Sequence, residues 1–308
     1  MQNLEELLEE LLLELKIDLP KERRDRVIKD IQAWLYPSLQ AKGRVLTEDG
    51  TFTLVSDEYG EPYHSVYAGA LTECLEKFIK PSRVLDWAKN LQELRVLDVG
   101  FGLGYNLSVL IVQLREKYPN LRIKAISLEK RLQKDIPLLP GKYGEIQKLL
   151  LENLPSFEAD CISWRLLLGD ARESIKDLSG FGFHLVLHDP FSPYKNPELW
   201  SYHFLQKIKE SMHEEGTWIS YSASLPVRKA LKELGFYLEG TNPVGRKKGG
   251  TLARLKGKDL LPDDELRKLD TSPYAVPFLD PDLKDSPLRI LVRYRLHVEV
   301  RCLKMFPC

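Results

Sequence analysis

The sequence predicts an α/β fold, a mostly parallel sheet with helices on both faces, and three observations predict it. Short β-rich runs alternate with helix-length segments from about residue 94 to 255. The first of these runs closes on a glycine-rich turn that opens a helix, Leu97-Asp-Val-Gly-Phe-Gly-Leu-Gly-Tyr105. Acidic residues then follow the ends of the next strands, at Glu129, Asp170 and Asp189. Alternation at this spacing implies right-handed crossovers and hence a parallel sheet. Ligands of such sheets sit beyond the carboxyl ends of the strands, near the point where strand order reverses.

Taken in order, the β-rich runs are 95–99, 123–128, 163–168, 184–187 and 217–221. Helix-length segments at 105–117, 146–153, 171–178 and 197–213 separate them, and 227–234 leads to two further strands at 236–239 and 250–254. Ahead of this core, Asn3 with Glu6 forms a capping-box pattern. Leu4, Leu7, Leu8, Leu11 and Leu15 follow at helical spacing with Glu5, Glu9, Glu10 and Glu14 turned outward, which predicts a helix packed on the body of the protein. Residues 47–55 form a strand entered through the Asp49-Gly50 turn, and Glu61-Pro-Tyr-His-Ser65 precedes a helix at about 68–79. Past 256 the chain is studded with Pro262, Pro273, Pro277, Pro281 and Pro287. There Val292, Tyr294, Leu296, Val298 and Val300 alternate with Arg293, Arg295, His297, Glu299 and Arg301, a pattern read as a strand with one apolar and one basic face. The expected division is an N-terminal extension at 1–90, a core at 91–255 and a C-terminal appendage at 256–308.

Composition narrows the function classes. Forty-five basic and 45 acidic residues in 308 give no net charge, so no global basic field marks a nucleic-acid binder. A hydrophobic fraction of 43% with 29% charged residues describes a globular chain. The apolar runs fall well short of the ~20 residues a membrane span needs, and no basic segment precedes an apolar one at the N-terminus. Cys74, Cys161, Cys302 and Cys308 are scattered without a Cys-x-x-Cys pair. No metal site or disulfide framework is therefore expected, and the cytoplasm is the expected compartment.

The glycine turn carries the first chemical signal. A dinucleotide fingerprint requires a third glycine at position 105, which is Tyr105 here. Gly100, Gly102 and Gly104, following a strand that ends in an acid, instead suit the methionine side of an S-adenosylmethionine (SAM) site, where the backbone must come close to the ligand. Glu129 has two acceptor oxygens for the ribose hydroxyls. Asp170 suits the exocyclic amine of adenine, with the Ala171 N–H facing a ring nitrogen. Leu187-His-Asp-Pro-Phe-Ser-Pro-Tyr-Lys-Asn-Pro197 closes the fourth strand. Its Asp-Pro-Phe is similar to the Asp/Asn-Pro-Pro-Tyr/Phe loop of amino-group methyltransferases. Methyl transfer from a sulfonium needs a free nitrogen lone pair in line with the methyl carbon. Asp189 is the candidate group that orients the amine and takes its proton. His188 is read as a packed residue beside it.

These motifs resemble the methyltransferase domain of the MnmC family over roughly 45–254. The resemblance runs through Glu61-Pro-Tyr-His-Ser65, Gly100-Phe-Gly-Leu-Gly-Tyr-Asn106, Ile126-Ser-Leu-Glu-Lys130, Gly169-Asp170, Lys195-Asn-Pro-Glu-Leu-Trp200 and Gly245-Arg-Lys247. Lys-Asn-Pro-x-x-Trp is its most specific element. Pro190 departs from the family's usual glycine after the loop aspartate. The resemblance implies a Rossmann-like class I SAM-dependent methyltransferase. Its implied reaction is N-methylation of 5-aminomethyl-(2-thio)uridine at wobble position 34 of tRNA, giving 5-methylaminomethyl-(2-thio)uridine. Tyr63, His64 and Asn106 are implied to touch or cover the cofactor. Phe191, Tyr194, Lys195, Arg246 and Lys247 are the candidates for contact with the tRNA anticodon stem-loop, with Arg228, Lys229 and the Arg293/Arg295/Arg301 face as further basic patches. No second glycine-rich nucleotide motif follows the core, so no FAD site is expected, and separate enzymes are expected to supply the aminomethyl-uridine tRNA. The alternatives are a SAM-dependent methyltransferase acting on another RNA, nucleotide or protein amine, a dehydrogenase on a similar sheet, and a non-catalytic tRNA-binding module.

Overall fold

The computed structural model describes residues 3–36, 42–245 and 249–305. Its main sheet has eight strands in the order β5-β6-β4-β3-β7-β8-β10-β9. The five in the middle are parallel: β6 (Ile162–Leu168), β4 (Arg122–Glu129), β3 (Glu93–Val99), β7 (Phe183–His188) and β8 (Met212–Ser220). β9 (Tyr237–Gly240) and β10 (Thr251–Arg254) add an antiparallel edge, and β5 (Ser156–Ala159) pairs antiparallel to β6 at the other. A separate hairpin is made of β1 (Gly43–Leu46) and β2 (Phe52–Val55). Strand order reverses between β3 and β7, so the turns after Val99 and His188 lie side by side.

Strands buried on both faces are mostly apolar, and each apolar residue serves one layer. In β3, Leu94 and Val96 join the core beneath the Tyr105–Lys117 helix, whereas Leu97 and Val99 join the opposite core with Trp200, Phe204 and Ile208. This is why the central strands and the Tyr105–Lys117 helix fall where the sequence places them. The 197–213 segment is not one helix. A 3-10 turn, Pro197–Trp200, leads to Ser201, whose hydroxyl accepts a hydrogen bond from Phe204 N at 3.2 Å and starts the helix Tyr202–Ser211. β8 already begins at Met212.

The C-terminal alternation is likewise not a strand but a 19-residue helix, Pro287–Met305. Val292 and Leu296 face the N-terminal helices Leu4–Glu14 and Lys21–Leu35, while Ile290, Leu291, Tyr294 and Val298 face the main core. A helix covered on two sides has no wide polar stripe, so its polar residues are buried and paired. Arg295 bonds Asp30 at 2.8 Å and meets Glu299 at 2.6 Å, and Glu299 also takes Arg23 at 2.6 Å. Arg293 pairs with Asp285 at 2.6 Å, and Arg301 donates to the carbonyls of Ala275 and Asp270. This expected basic face is an internal ion network. The first helix packs as expected, with Leu7, Leu8 and Leu11 buried, although Asn3 caps it through Glu5 N alone.

Breaking a buried ion pair leaves its partner charge uncompensated. Arg295→Met is therefore expected to lower the unfolding free energy by about 3 kcal/mol, read as the midpoint shift in urea denaturation. An unchanged midpoint would show that the network adds nothing to the attachment of the N-terminal helices.

Candidate active site

A cavity of about 470 Å³ opens over the carboxyl ends of β3, β4, β6 and β7, a size within the usual range for ligand pockets. Its wall is built where two turns touch. Asp189 N donates to Val99 O at 2.9 Å, fixing the turn after β7 against the end of β3. Gly100 then passes so close that a Cβ would lie 2.8 Å from the Asp189 carbonyl oxygen, and its φ of +84° is left-handed. At Gly102 (φ +57°) a Cβ would lie 3.0 Å from the Tyr63 ring. Both glycines line the cavity, whereas Gly104 packs on Phe101 and opens the helix behind. Asp98 points away from the cavity, buried, with Ser127 Oγ donating to it at 2.8 Å.

Glu129 reaches back across the turn and accepts Gly102 N at 2.8 Å and Arg131 N at 3.2 Å. Burial raises its pKa above the usual carboxylate value despite those bonds. Asp170 and Ala171 line the same wall at the end of β6. Asp170 caps the short helix that follows, accepting Arg172 N at 2.9 Å, and also pairs with the Arg172 guanidinium at 2.7 Å.

At the other end lies Asp189. Asn106 Nδ2 donates to its Oδ2 at 2.7 Å. Burial, reinforced by the charge of Glu73, pushes the Asp189 carboxyl well above its ordinary pKa. Glu73 lines the same end and is buried, yet stays ionised, because Lys77 Nζ at 2.6 Å and Ser65 N at 2.6 Å both donate to it. His64 sits 3.7 Å from Glu73 and stacks on Tyr105, with ring centroids 4.8 Å apart. His188 is fully buried against Trp200 and Trp218, and burial lowers its pKa to about 3, so it is a neutral packing residue.

Aromatic rings roof the cavity. Phe191 stacks with Tyr59 at 4.4 Å and meets Tyr63 edge-on at 4.9 Å. Glu61 clasps the same loop by accepting Ser192 N at 2.9 Å and Ser192 Oγ at 2.6 Å. Trp200 Nε1 donates to Phe191 O at 2.8 Å, which gives the Lys-Asn-Pro-x-x-Trp run a structural task.

Among the residues singled out in the sequence, Tyr63, His64, Gly100, Gly102, Glu129, Asp170, Ala171, Asp189 and Phe191 meet in this cavity. Asn106 lies directly behind Asp189. Tyr194 does not join them. Its ring packs on Trp34 at 4.6 Å and on Phe278. Lys195 donates to the carbonyl of Tyr36. Arg246 and Lys247 lie outside the described residues. Arg228 is buried on Thr251 and Glu265, and Lys229 pairs with Asp270 at 3.3 Å, so neither forms the open basic patch expected of it. Tyr59, Glu61, Glu73, Glu198 and Tyr221 line the cavity without having been singled out. The Glu73/Lys77 pair had one sequence signal, opposite charges four residues apart on a helical segment. Among the described residues, no cluster of His, Cys, Asp and Glu suits a metal ion, and no helix is long and apolar enough to cross a membrane.

Residues 142–256 match a family model described as S-adenosyl-L-methionine-dependent methyltransferase. The chain is 34% identical over 284 residues to an uncharacterized protein of Methanocaldococcus jannaschii, covering 88% of this chain and 74% of that protein. It is 28% identical over 221 residues to the tRNA 5-methylaminomethyl-2-thiouridine biosynthesis bifunctional protein MnmC of Leptospira interrogans, covering 66% of this chain. It spans about a third (34%) of the length of that bifunctional relative. Among solved structures, MnmC2 from Aquifex aeolicus superposes with a TM-score of 0.88 at 46% identity, over 95% of this chain and 97% of that one.

SAM fits the cavity as built, with glycine where the wall comes closest and a half-buried acid, Glu129, at the end of β4. Gly100→Ala is expected to weaken SAM binding by about tenfold or more, since the added carbon must push the two turns apart at a cost of ~1–3 kcal/mol. Calorimetric titration with SAM checks this, and wild-type affinity in the variant would show that the turns need no such approach.

Proposed function

We propose that this chain, which belongs to the MnmC methyltransferase family and is a SAM-dependent methyltransferase, methylates the amine of 5-aminomethyl-(2-thio)uridine at wobble position 34 of tRNA. The observation that carries the reading is Asp189. It is a carboxyl with a raised pKa at the inner end of the cavity, held by Asn106 beside an aromatic wall.

SAM supplies a methyl group on a positively charged sulfur. Gly100 and Gly102 bring the backbone to its methionine part, Glu129 takes the ribose hydroxyls, and the turn at Asp170 and Ala171 bounds the adenine. Tyr63 and His64 close the site from above. The substrate amine arrives mostly protonated, as the lysine reference pKa of ~10.4 indicates. Asp189 accepts its proton and keeps a hydrogen bond to the nitrogen, leaving the lone pair free to point at the methyl carbon. The amine nitrogen would bond the methyl carbon as the C–S bond breaks toward sulfur, the positive charge would pass from sulfur to nitrogen, and the product would leave as a secondary ammonium. Asn106 holds Asp189 in place and offers no competing base.

The substrate reading follows from the same pocket. A wobble base lies in a single-stranded loop and turns out of its stack at small cost. Phe191, with Tyr59 and Tyr63, is the aromatic wall on which the uracil would stack. Lys195, Arg246 and Lys247 are the candidate phosphate contacts, which position the RNA without reading its sequence. Separate enzymes would install the aminomethyl group first.

The test uses tRNA from cells lacking methylated wobble uridine, purified protein and methyl-labelled SAM. After digestion the label is expected in 5-methylaminomethyl-(2-thio)uridine, with Asp189→Ala slower by about 10² or more. Label in another nucleoside would move the substrate, and no label despite SAM binding would redirect the search to a different amine. A pH series adds a second check. Asp189 must be ionised to accept a proton, so the rate is expected to fall as pH drops through its raised pKa. That limb should lie above the ordinary aspartate range of ~4 and vanish in the residual activity of Asp189→Asn. A limb at ordinary carboxylate pH would remove Asp189 from this role.

A further inference from the structure

The acid at the end of β6 is the residue expected to take the adenine amine, yet its oxygens are already in use. Asp170 Oδ1 accepts Arg172 N at 2.9 Å and Arg172 Nε at 3.1 Å, and Oδ2 accepts Arg172 Nη2 at 2.7 Å. Arg172 is itself fastened by Asp280 at 2.8 Å and by the carbonyl of Asp285 at 2.8 Å. Asp170 therefore caps a helix and anchors an arginine that ties the C-terminal segment to the sheet.

Glu198 lines the cavity along with Arg172, Leu199 and Pro287. It belongs to the Lys195-Asn-Pro-Glu-Leu-Trp200 run, whose other members lock the loop after β7. Its side chain is 8% exposed, and Oε2 is buried with no hydrogen-bond partner. A buried carboxyl oxygen left without a donor costs about 1–3 kcal/mol, a cost that a ligand bearing an N–H would relieve.

We propose that Glu198, and not Asp170, takes the exocyclic amine of the SAM adenine and so selects adenine over other purines. Adenine presents an amino donor beside a ring-nitrogen acceptor. Burial pushes the Glu198 carboxyl up to about 6, so near neutrality both of its forms are present. The ionised form, which can only accept, takes the exocyclic amine, the one donor adenine offers on this edge. Hypoxanthine carries an oxygen where adenine carries the amine and opposes a carboxylate there. The proposal rests on SAM being the cofactor and is independent of which amine is methylated.

Calorimetric titrations with S-adenosylhomocysteine and S-inosylhomocysteine test it in the full chain, with thermal melts run on every variant. The wild type is expected to prefer the adenosyl ligand by about tenfold or more, as a charge-assisted hydrogen bond allows. Glu198→Ala should lose about that factor for the adenosyl ligand and bind the two alike. Glu198→Gln, of nearly the same shape, should recover adenosyl affinity but still accept the inosyl ligand, because its amide can donate as well as accept. Asp170→Asn, which still caps the helix, should keep the wild-type preference. Wild-type preference in both Glu198 variants would overturn the proposal, as would its collapse in Asp170→Asn or its absence from the wild type. A wild type that binds neither ligand would overturn the SAM assignment together with it, a failure distinct from the loss of preference alone.

Discussion

The backbone contact between the turns after β3 and β7 is the constraint on which the rest of the site depends. Two parallel strands far apart in sequence, β3 and β7, end side by side because strand order reverses between them. One hydrogen bond, Asp189 N to Val99 O, sets their register past the sheet, and Gly100 passes so close that a Cβ there would lie 2.8 Å from the Asp189 carbonyl oxygen. A side chain at 100 would push the glycine turn away from Asp189. The contact thus fixes the spacing of donor and acceptor before either ligand arrives, which is what an in-line displacement requires.

The N-terminal segment is part of that site, and the reason is local. Residues 59–67 cross the cavity and are pinned at both ends of their run. Glu61 accepts two hydrogen bonds from Ser192, and Ser65 N donates to the buried Glu73. Tyr59 and Tyr63 then have fixed ring positions against Phe191. The β1–β2 hairpin beneath holds the segment from below, with Tyr63 N donating to Leu54 O and His64 N to Thr53 Oγ1. The sheet therefore supplies the acids and glycines, and this extension supplies the aromatic surface.

Much of this was legible in the sequence because it depends on local rules. Strands buried on both faces must be apolar, turns that approach a ligand need glycine, and an acid past a strand end has few structural reasons to be there. What escaped depends on partners far away in the chain. Arg295 reads as exposed until Asp30, 265 residues distant, neutralises it, and the helix around it then reads as a strand. Tyr194 sits two residues from the cavity-lining Ser192, but Trp34 from the second helix draws its ring away. Glu198 belonged to a recognised motif, yet nothing in that motif says that one of its oxygens is buried without a partner.

Electrostatics at the Asp189 side of the cavity drives two buried carboxyls in opposite directions. Glu73 and Asp189 lie at the same end and repel each other. Two acids in such proximity do not ionise alike, and their surroundings decide which keeps its charge. Glu73 receives Lys77 and a backbone N–H, and its pKa is lowered despite burial. Asp189 receives one amide from Asn106 and no cation at hydrogen-bonding distance among the described contacts, so it bears both the burial cost and the repulsion. Its proton affinity rises toward that of an amine, which is the direction a base needs in order to take a proton from one. On the reading proposed above, a substrate ammonium entering here meets a Glu73 whose charge Lys77 already balances, so the attraction comes from Asp189 in its ionised form. On that reading Asp189, the more basic of the two acids, is the one placed to receive its proton.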